Sequence, residues 1–131
     1  MSSLITALAE EHRAIDTGLD RLAETVASGD IDAEIFREVR ELNSRHYLRE
    51  EEFLARLQPH EPGLAAKLRA QHEEALEISA RLEESLAAGE ATDVAYLARR
   101  FLAIARHNII EEERDVFPLA ERCFGAEKNG P

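Results

Sequence analysis

The chain has 131 residues, 27 acidic against 16 basic side chains, a formal net charge of −11 and a single cysteine, Cys123. That length makes one domain able to bury a real core, and the charge excludes the basic face that nucleic acid or an anionic membrane requires. With only 6 Gly and 4 Pro, abundant Ala, Leu, Glu and Arg, and few aromatic or β-branched residues, the composition argues for an all-α fold without strands.

The first predicted helix runs from Ser3 to Ala27, with Leu4, Leu8, His12, Ile15, Leu19, Leu22 and Val26 recurring at spacings of three and four. Gly29 suits a left-handed C-terminal cap, and Asp30 or Asp32 an N-cap for the next helix. The second helix, Asp32 to Leu57, carries Ile35, Val39, Leu42, His46, Glu50, Phe53 and Leu57 on its stripe. Pro59 ends it, and Pro62 can occupy the first turn of a third helix reaching Ala88. On that helix Leu64, Leu68, His72, Ala75, Ser79, Leu82 and Leu86 fall in line. The fourth helix opens at Thr92 or Asp93, and its stripe reads Val94, Leu97, Phe101, Ile104, His107, Glu111, Arg114 and Phe117. Pro118 is expected to kink or end it, leaving residues 1–124 as the bundle and 125–131 as a disordered C-terminal tail.

Short connections force sequential helices to run antiparallel, which predicts an up-down-up-down four-helix bundle. Depth can then be counted at 1.5 Å per residue. His12 and His46 lie equally far from Gly29, His72 and His107 nearly equally far from Glu90, and His46 and His72 nearly equally far from His60. The four histidines share one level. His46/Glu50 and His107/Glu111 are each one turn apart, so each pair offers an imidazole and a carboxylate on one face. Six side chains, His12, His46, Glu50, His72, His107 and Glu111, thus fall in a layer about 6 Å thick.

Any one histidine on an apolar stripe is readily a core residue with a hydrogen-bonding partner. Two carboxylates among four imidazoles are not explained by packing, because an unpaired buried carboxylate costs several kcal/mol. Cations offset that cost. Imidazole suits zinc, copper, iron and nickel, whereas carboxylate favours harder ions. Six ligands exceed one tetrahedral zinc, and a mixed His/Glu set points to two non-haem iron ions. His60 sits in a Pro-flanked loop outside the layer, Tyr47 is expected to face away from the stripe, and Cys123 reads as a half-buried side chain near the end of the last helix.

The order of these pieces, a lone histidine, a His-x3-Glu, a second lone histidine and a second His-x3-Glu, resembles the hemerythrin-like, or HHE cation-binding, domains across essentially the whole chain. The matching residues are His12 after Glu10-Glu11, His46 and Glu50 before Glu51-Glu52-Phe53-Leu54, His72 after Ala70-Gln71, and His107 with Glu111 before Glu112-Glu113-Arg114-Asp115-Val116-Phe117-Pro118. The resemblance implies a four-helix bundle around two iron ions bridged by Glu50, Glu111 and an oxo or hydroxo group. One departure stands out: oxygen-carrying members have a further histidine four residues after the helix-three ligand, where this chain has Leu76. That leaves a coordination position for water, an exogenous ligand or a neighbouring acid such as Glu73.

The functional expectation is therefore a di-iron protein that binds or responds to O2, peroxide or NO. A di-iron enzyme for peroxide removal or iron-centre repair, and an iron or metal storage module, are the alternatives. Catalytic residues are not assigned. The first residues lack the regions of a signal peptide and no run approaches the roughly 18 apolar residues of a membrane span, so a cytoplasmic location is expected. Neither nucleic acid nor membrane is an expected partner; a homodimer or another protein partner stays open.

Overall fold

The computed structural model describes the backbone of residues 3–129 and side chains through Gly125. Helices α1 (Ser3–Ala27), α2 (Ala33–Leu57), α3 (Pro62–Ala88) and α4 (Ala91–Glu111) form the antiparallel bundle, followed by one π-helical turn (Glu112–Val116) and α5 (Phe117–Asn129). No strand occurs among the described residues, and no described helix is long and apolar enough to cross a membrane.

Local chemistry sets the ends. Gly29 and Gly89 take positive φ of 81° and 71°, conformations that cost other residues steric strain. Asp32 accepts hydrogen bonds from the N–H groups of Glu34 and Ile35 at 3.0 and 3.1 Å, satisfying two of the four orphan donors of α2. Pro62 opens α3 in the first turn, where its missing N–H is not needed. Between α1 and α2 the backbones approach closely at Gly18, where an added Cβ would lie 2.6 Å from Val39 Cγ2.

The irregularity expected at Pro118 lies upstream of it. In the π turn the Phe117 N–H bonds the carbonyl of Glu112, five residues back, so one extra residue is accommodated in a widened turn. Pro118 is then the second residue of α5, directly after the widened turn. The chain continues as helix, so residues 125–129, expected as a tail, belong to α5; residues 130–131 lie outside the described residues.

Two apolar clusters fill the bundle. One, towards the Gly29 end, is built on Ile15, Leu19, Phe36, Val39, Leu82 and Phe101. The other gathers Ile5, Leu8, Phe53, Leu57, Leu68, Val116, Phe117 and Phe124, with Cys123 packed partly buried against it. Each fully buried Leu, Ile or Phe contributes about 1.5–3 kcal/mol of transfer free energy. Between the clusters lies a layer of buried polar side chains: His12, Asn43, His46, Glu50, His72, Asn108 and Glu112.

Candidate metal centre

His12 of α1 is flanked along its helix by Leu8 and Ile15, and His46 and Glu50 of α2 by Val39 and Phe53, all of them buried. Helical phase therefore carries these polar groups into the dry interior with their apolar neighbours. His72 follows Leu68 on α3 in the same way, and Glu112 enters from the π turn.

The five side chains interlock. His12 Nε2 stands 2.9 Å from Glu112 Oε1 and 3.7 Å from Glu50 Oε1. His46 Nε2 is in close contact with Glu50 Oε1 and 3.9 Å from Glu112 Oε1. His72 Nε2 faces the opposite oxygens, 2.9 Å from Glu50 Oε2 and 3.2 Å from Glu112 Oε2. Ligand atoms of His12, His46, Glu50 and Glu112 all lie within 4.8 Å of one another. His46 Nε2 and both oxygens of Glu50 have no well-angled hydrogen bond, despite complete burial. Buried polar atoms that converge on a point without pairing are costly, and a cation at that point relieves the cost.

The surroundings fix the rings. His46 Nδ1–H donates to Glu11 Oε1 at 2.8 Å, and Arg49 Nε bonds the other Glu11 oxygen at 2.8 Å. A carboxylate behind a ligand imidazole sets its tautomer and turns Nε2 towards an ion. His12 stacks on Phe117 with ring centroids 5.5 Å apart, and His72 on Tyr47 at 4.1 Å.

Charge pairing dominates the titration. Burial alone pulls each imidazole down, but the Glu112 and Glu50 carboxylates push His12 up to about 9, His46 to about 10 and His72 to about 9. Burial raises Glu50, yet His12, His46 and His72 outweigh it and hold the carboxyl well below its usual range. The metal-free cluster is thus a set of protonated imidazoles around ionised carboxylate, and an ion entering it displaces protons.

Of the six side chains expected in the layer, the structure brings together His12, His46, Glu50 and His72. It does not bring in His107 or Glu111. The His107 side chain is 62% exposed and bonds Glu111 Oε2 at 2.9 Å, while Lys67 Nζ holds Glu111 Oε1 at 3.0 Å. Burial raises the Glu111 carboxyl, but Lys67 and His107 bring it below its usual value. Asn108 and Glu112 are the positions that reach the layer; Glu111 is itself buried, but against Lys67 and not among the other carboxylates and imidazoles. Phase explains the shift: at about 100° per residue from buried Phe101, Asn108 and Glu112 return to within about 20°, whereas His107 is about 120° away and Glu111 about 80°. The expected stripe advanced by three residues too often and lost register with the helix. Counting at 3.6 from Phe101 would have found Glu112.

Two smaller corrections follow the same logic. Tyr47 was expected outside, but it is buried against His72, with its hydroxyl accepting from Asn108 Nδ2 at 3.2 Å. A bundle helix buries an arc over about 100° wide, so the residue after His46 still falls against α3. Burial pushes the Tyr47 phenol up to about 12. Asn43 takes the buried place expected of Leu42, which is half-exposed. Glu73 and His60 are both exposed.

A family model for the hemerythrin HHE cation binding domain matches residues 3–120. The chain belongs to the hemerythrin HHE cation-binding family. Neither a curated protein nor a solved structure matches it. In this hemerythrin-family bundle, the family match and the buried His/Glu group together make the polar layer a metal site. The donor set fits: neutral imidazole nitrogen and carboxylate oxygen in a dry cavity suit a borderline or hard divalent cation.

Proposed function

We propose that the chain is a non-haem di-iron protein that binds or responds to a small ligand, O2, peroxide or NO. The observation that carries this reading is the interleaving of three imidazoles with two carboxylates. The Oε1 atoms of Glu50 and Glu112 face His12 and His46, and their Oε2 atoms face His72. Two carboxylates that each present one oxygen to either side are what a pair of ions needs to share ligands. Mixed His/carboxylate donors with unfilled positions favour iron over closed tetrahedral zinc.

When bound, iron would supply reversible ligand binding or redox chemistry; the chain's part is to hold, orient and seal. His12, His46, His72, Glu50 and Glu112 are the proposed ligands. Glu11 orients His46, and the two apolar clusters keep bulk water from the layer. A core packed this closely admits diatomic molecules and peroxide more readily than a bulky organic substrate. Such a role fits a reducing cytoplasm, where Cys123 would stay a free thiol.

Elemental analysis and the near-ultraviolet and visible spectrum of aerobically purified protein, wild type beside Glu50→Ala, test this directly. About two irons per chain with charge-transfer bands lost in the variant are expected. Titration with O2, peroxide and NO then separates reversible binding from turnover. A colourless wild type that takes up no iron under anaerobic reconstitution would sink the reading.

A further inference from the structure

The two sides of the carboxylate pair are not equivalent. One side has four donors, His12 Nε2, His46 Nε2 and the Oε1 atoms of Glu50 and Glu112, drawn from two helices and the π turn. The other has three, because His72 Nε2 is the single imidazole within reach of the two Oε2 atoms. Residues that could have completed the poorer side do not. Asn108, one turn before Glu112, spends its amide on the Tyr47 hydroxyl. Leu76, one turn after His72, is 40% exposed at the surface.

Support behind the imidazoles differs in the same sense. His46 Nδ1 is anchored by Glu11, which Arg49 holds in turn. His12 Nδ1 and His72 Nδ1 are both buried without a hydrogen bond, each ring being stacked instead, on Phe117 and Tyr47, so the four-donor side has one carboxylate-anchored imidazole and the three-donor side has none. Outer carboxylates of the Glu11 kind change metal affinity about 10–100-fold. Access differs as well. A groove of about 510 Å³ between α2 and α3 is lined by Tyr47, Leu48, His72 and Leu76 and reaches the ligand-poor side. The groove at His46 is about 230 Å³ and is lined by Glu11, Arg45 and Arg49.

Resting on the metal-binding reading above, we propose that the two ions are held unequally: one tightly between His12 and His46, the other weakly and exchangeably at His72, open to the α2–α3 groove. Fewer donors, no carboxylate-anchored imidazole and the wider adjoining groove all lower the affinity of the second position without touching the first.

The test is titration of the metal-free protein with cobalt(II) against a competing chelator, followed by visible absorption. Two binding steps per chain separated by at least tenfold are expected. His72→Ala should abolish the weaker step and leave the tighter one within about threefold. Leu76→His, on the exposed wall of the groove, and Asn108→His, in the interior, should each strengthen the weaker step by tenfold or more; Leu76→His keeps the test available should Asn108→His fail to fold. Two steps of equal affinity, a single cooperative step, a stoichiometry that stops at one, or loss of the tight step in His72→Ala would each overturn the inequality while leaving a metal site in place. No cobalt bound at millimolar concentration would overturn the metal-binding reading itself.

Discussion

The chain contains the same local motif twice, and the two copies have opposite fates. His46 and Glu50 are four apart on α2, with side chains 2% and 1% exposed. His107 and Glu111 are four apart on α4, yet His107 is 62% exposed and Glu111 turns to Lys67. Spacing within a helix makes a histidine and a glutamate neighbours, and it does not say which way they face. Direction comes from phase relative to the apolar residues before and after, Val39 and Phe53 in one case, Phe101 and Val116 in the other. The environment then decides the chemistry: the first pair meets imidazoles and carboxylate, whereas His107 meets water and Glu111, though buried, meets a lysine.

Removing the carboxylate from each copy should expose this contrast most strongly. Glu50→Ala leaves His12, His46 and His72 buried with half of their counter-charge gone. Breaking a buried ion pair costs on the order of 3–5 kcal/mol, so urea unfolding of the metal-free variant should show a loss of that size, together with loss of bound metal. Glu111→Ala removes a largely buried partner of Lys67, but the Lys67 side chain is 58% exposed and its ammonium stays solvated, so the loss should be nearer the about 0–1 kcal/mol of surface pairs. Equal losses in the two variants would mean that α4 presents His107 and Glu111 inward after all.

A pH series on the metal-free chain sharpens the comparison further. His12, His46 and His72 are raised from 6.5 to about 9, 10 and 9, so the folded state binds these protons more tightly than the unfolded chain. Their stabilisation is complete below 6.5 and disappears as pH rises through 9 to 10. Glu50 is lowered from 4.5, so its contribution is present above that value and fades as pH falls below it. The urea midpoint should therefore be highest between about 4.5 and 6.5 and decline steadily to pH 10. His46→Ala should flatten the alkaline decline and His107→Ala should leave it unchanged. Metal affinity should move the other way, rising with pH as the imidazoles lose the protons an ion must displace.

How far these features could be read from the residues follows from the same physics. Four helices, their boundaries at Gly29, Asp32 and Pro62, and the antiparallel order were legible because each rests on local propensity and short connections. So was the convergence of His12, His46, Glu50 and His72, since their stripes keep helical period with strong apolar neighbours. The fourth helix was misread where its sequence offers two overlapping solutions, His107/Glu111 and Asn108/Glu112, side by side in a run that also contains Ile109, Ile110 and three consecutive glutamates. The π turn adds a residue after Glu111 that period counting does not register. Tyr47 was missed because a single stripe is narrower than the arc a bundle helix buries.

Groups behind the two pairs supply the next contrast. Glu11 stands behind His46, and Lys67 beside Glu111. Glu11→Gln keeps the shape but removes the charge that fixes the His46 tautomer, and metal affinity should fall about 10–100-fold, measured by chelator competition. Lys67→Ala should leave affinity within about twofold, because Lys67 pairs with Glu111, outside the cluster of imidazoles and carboxylates. A fall in the Lys67 variant comparable to that in Glu11→Gln would place Glu111 among the groups that govern the ion.

The smallest expected effect is the most discriminating. His107→Ala removes an imidazole that interacts with Glu111 and water at the surface, so stability should change by no more than about 0.5 kcal/mol, as is usual for exposed positions away from special features. Metal content should be the same as in the parent protein. The paired variant, His46→Ala, takes an identical side chain from an identical local motif and should remove bound metal while leaving Glu50 short of a partner. If helical phase is what separates the two motifs, a substitution at 107 is silent and one at 46 is not. Should His107→Ala lose an ion, α4 must be turned by about one residue from the register described, and Glu111 with it.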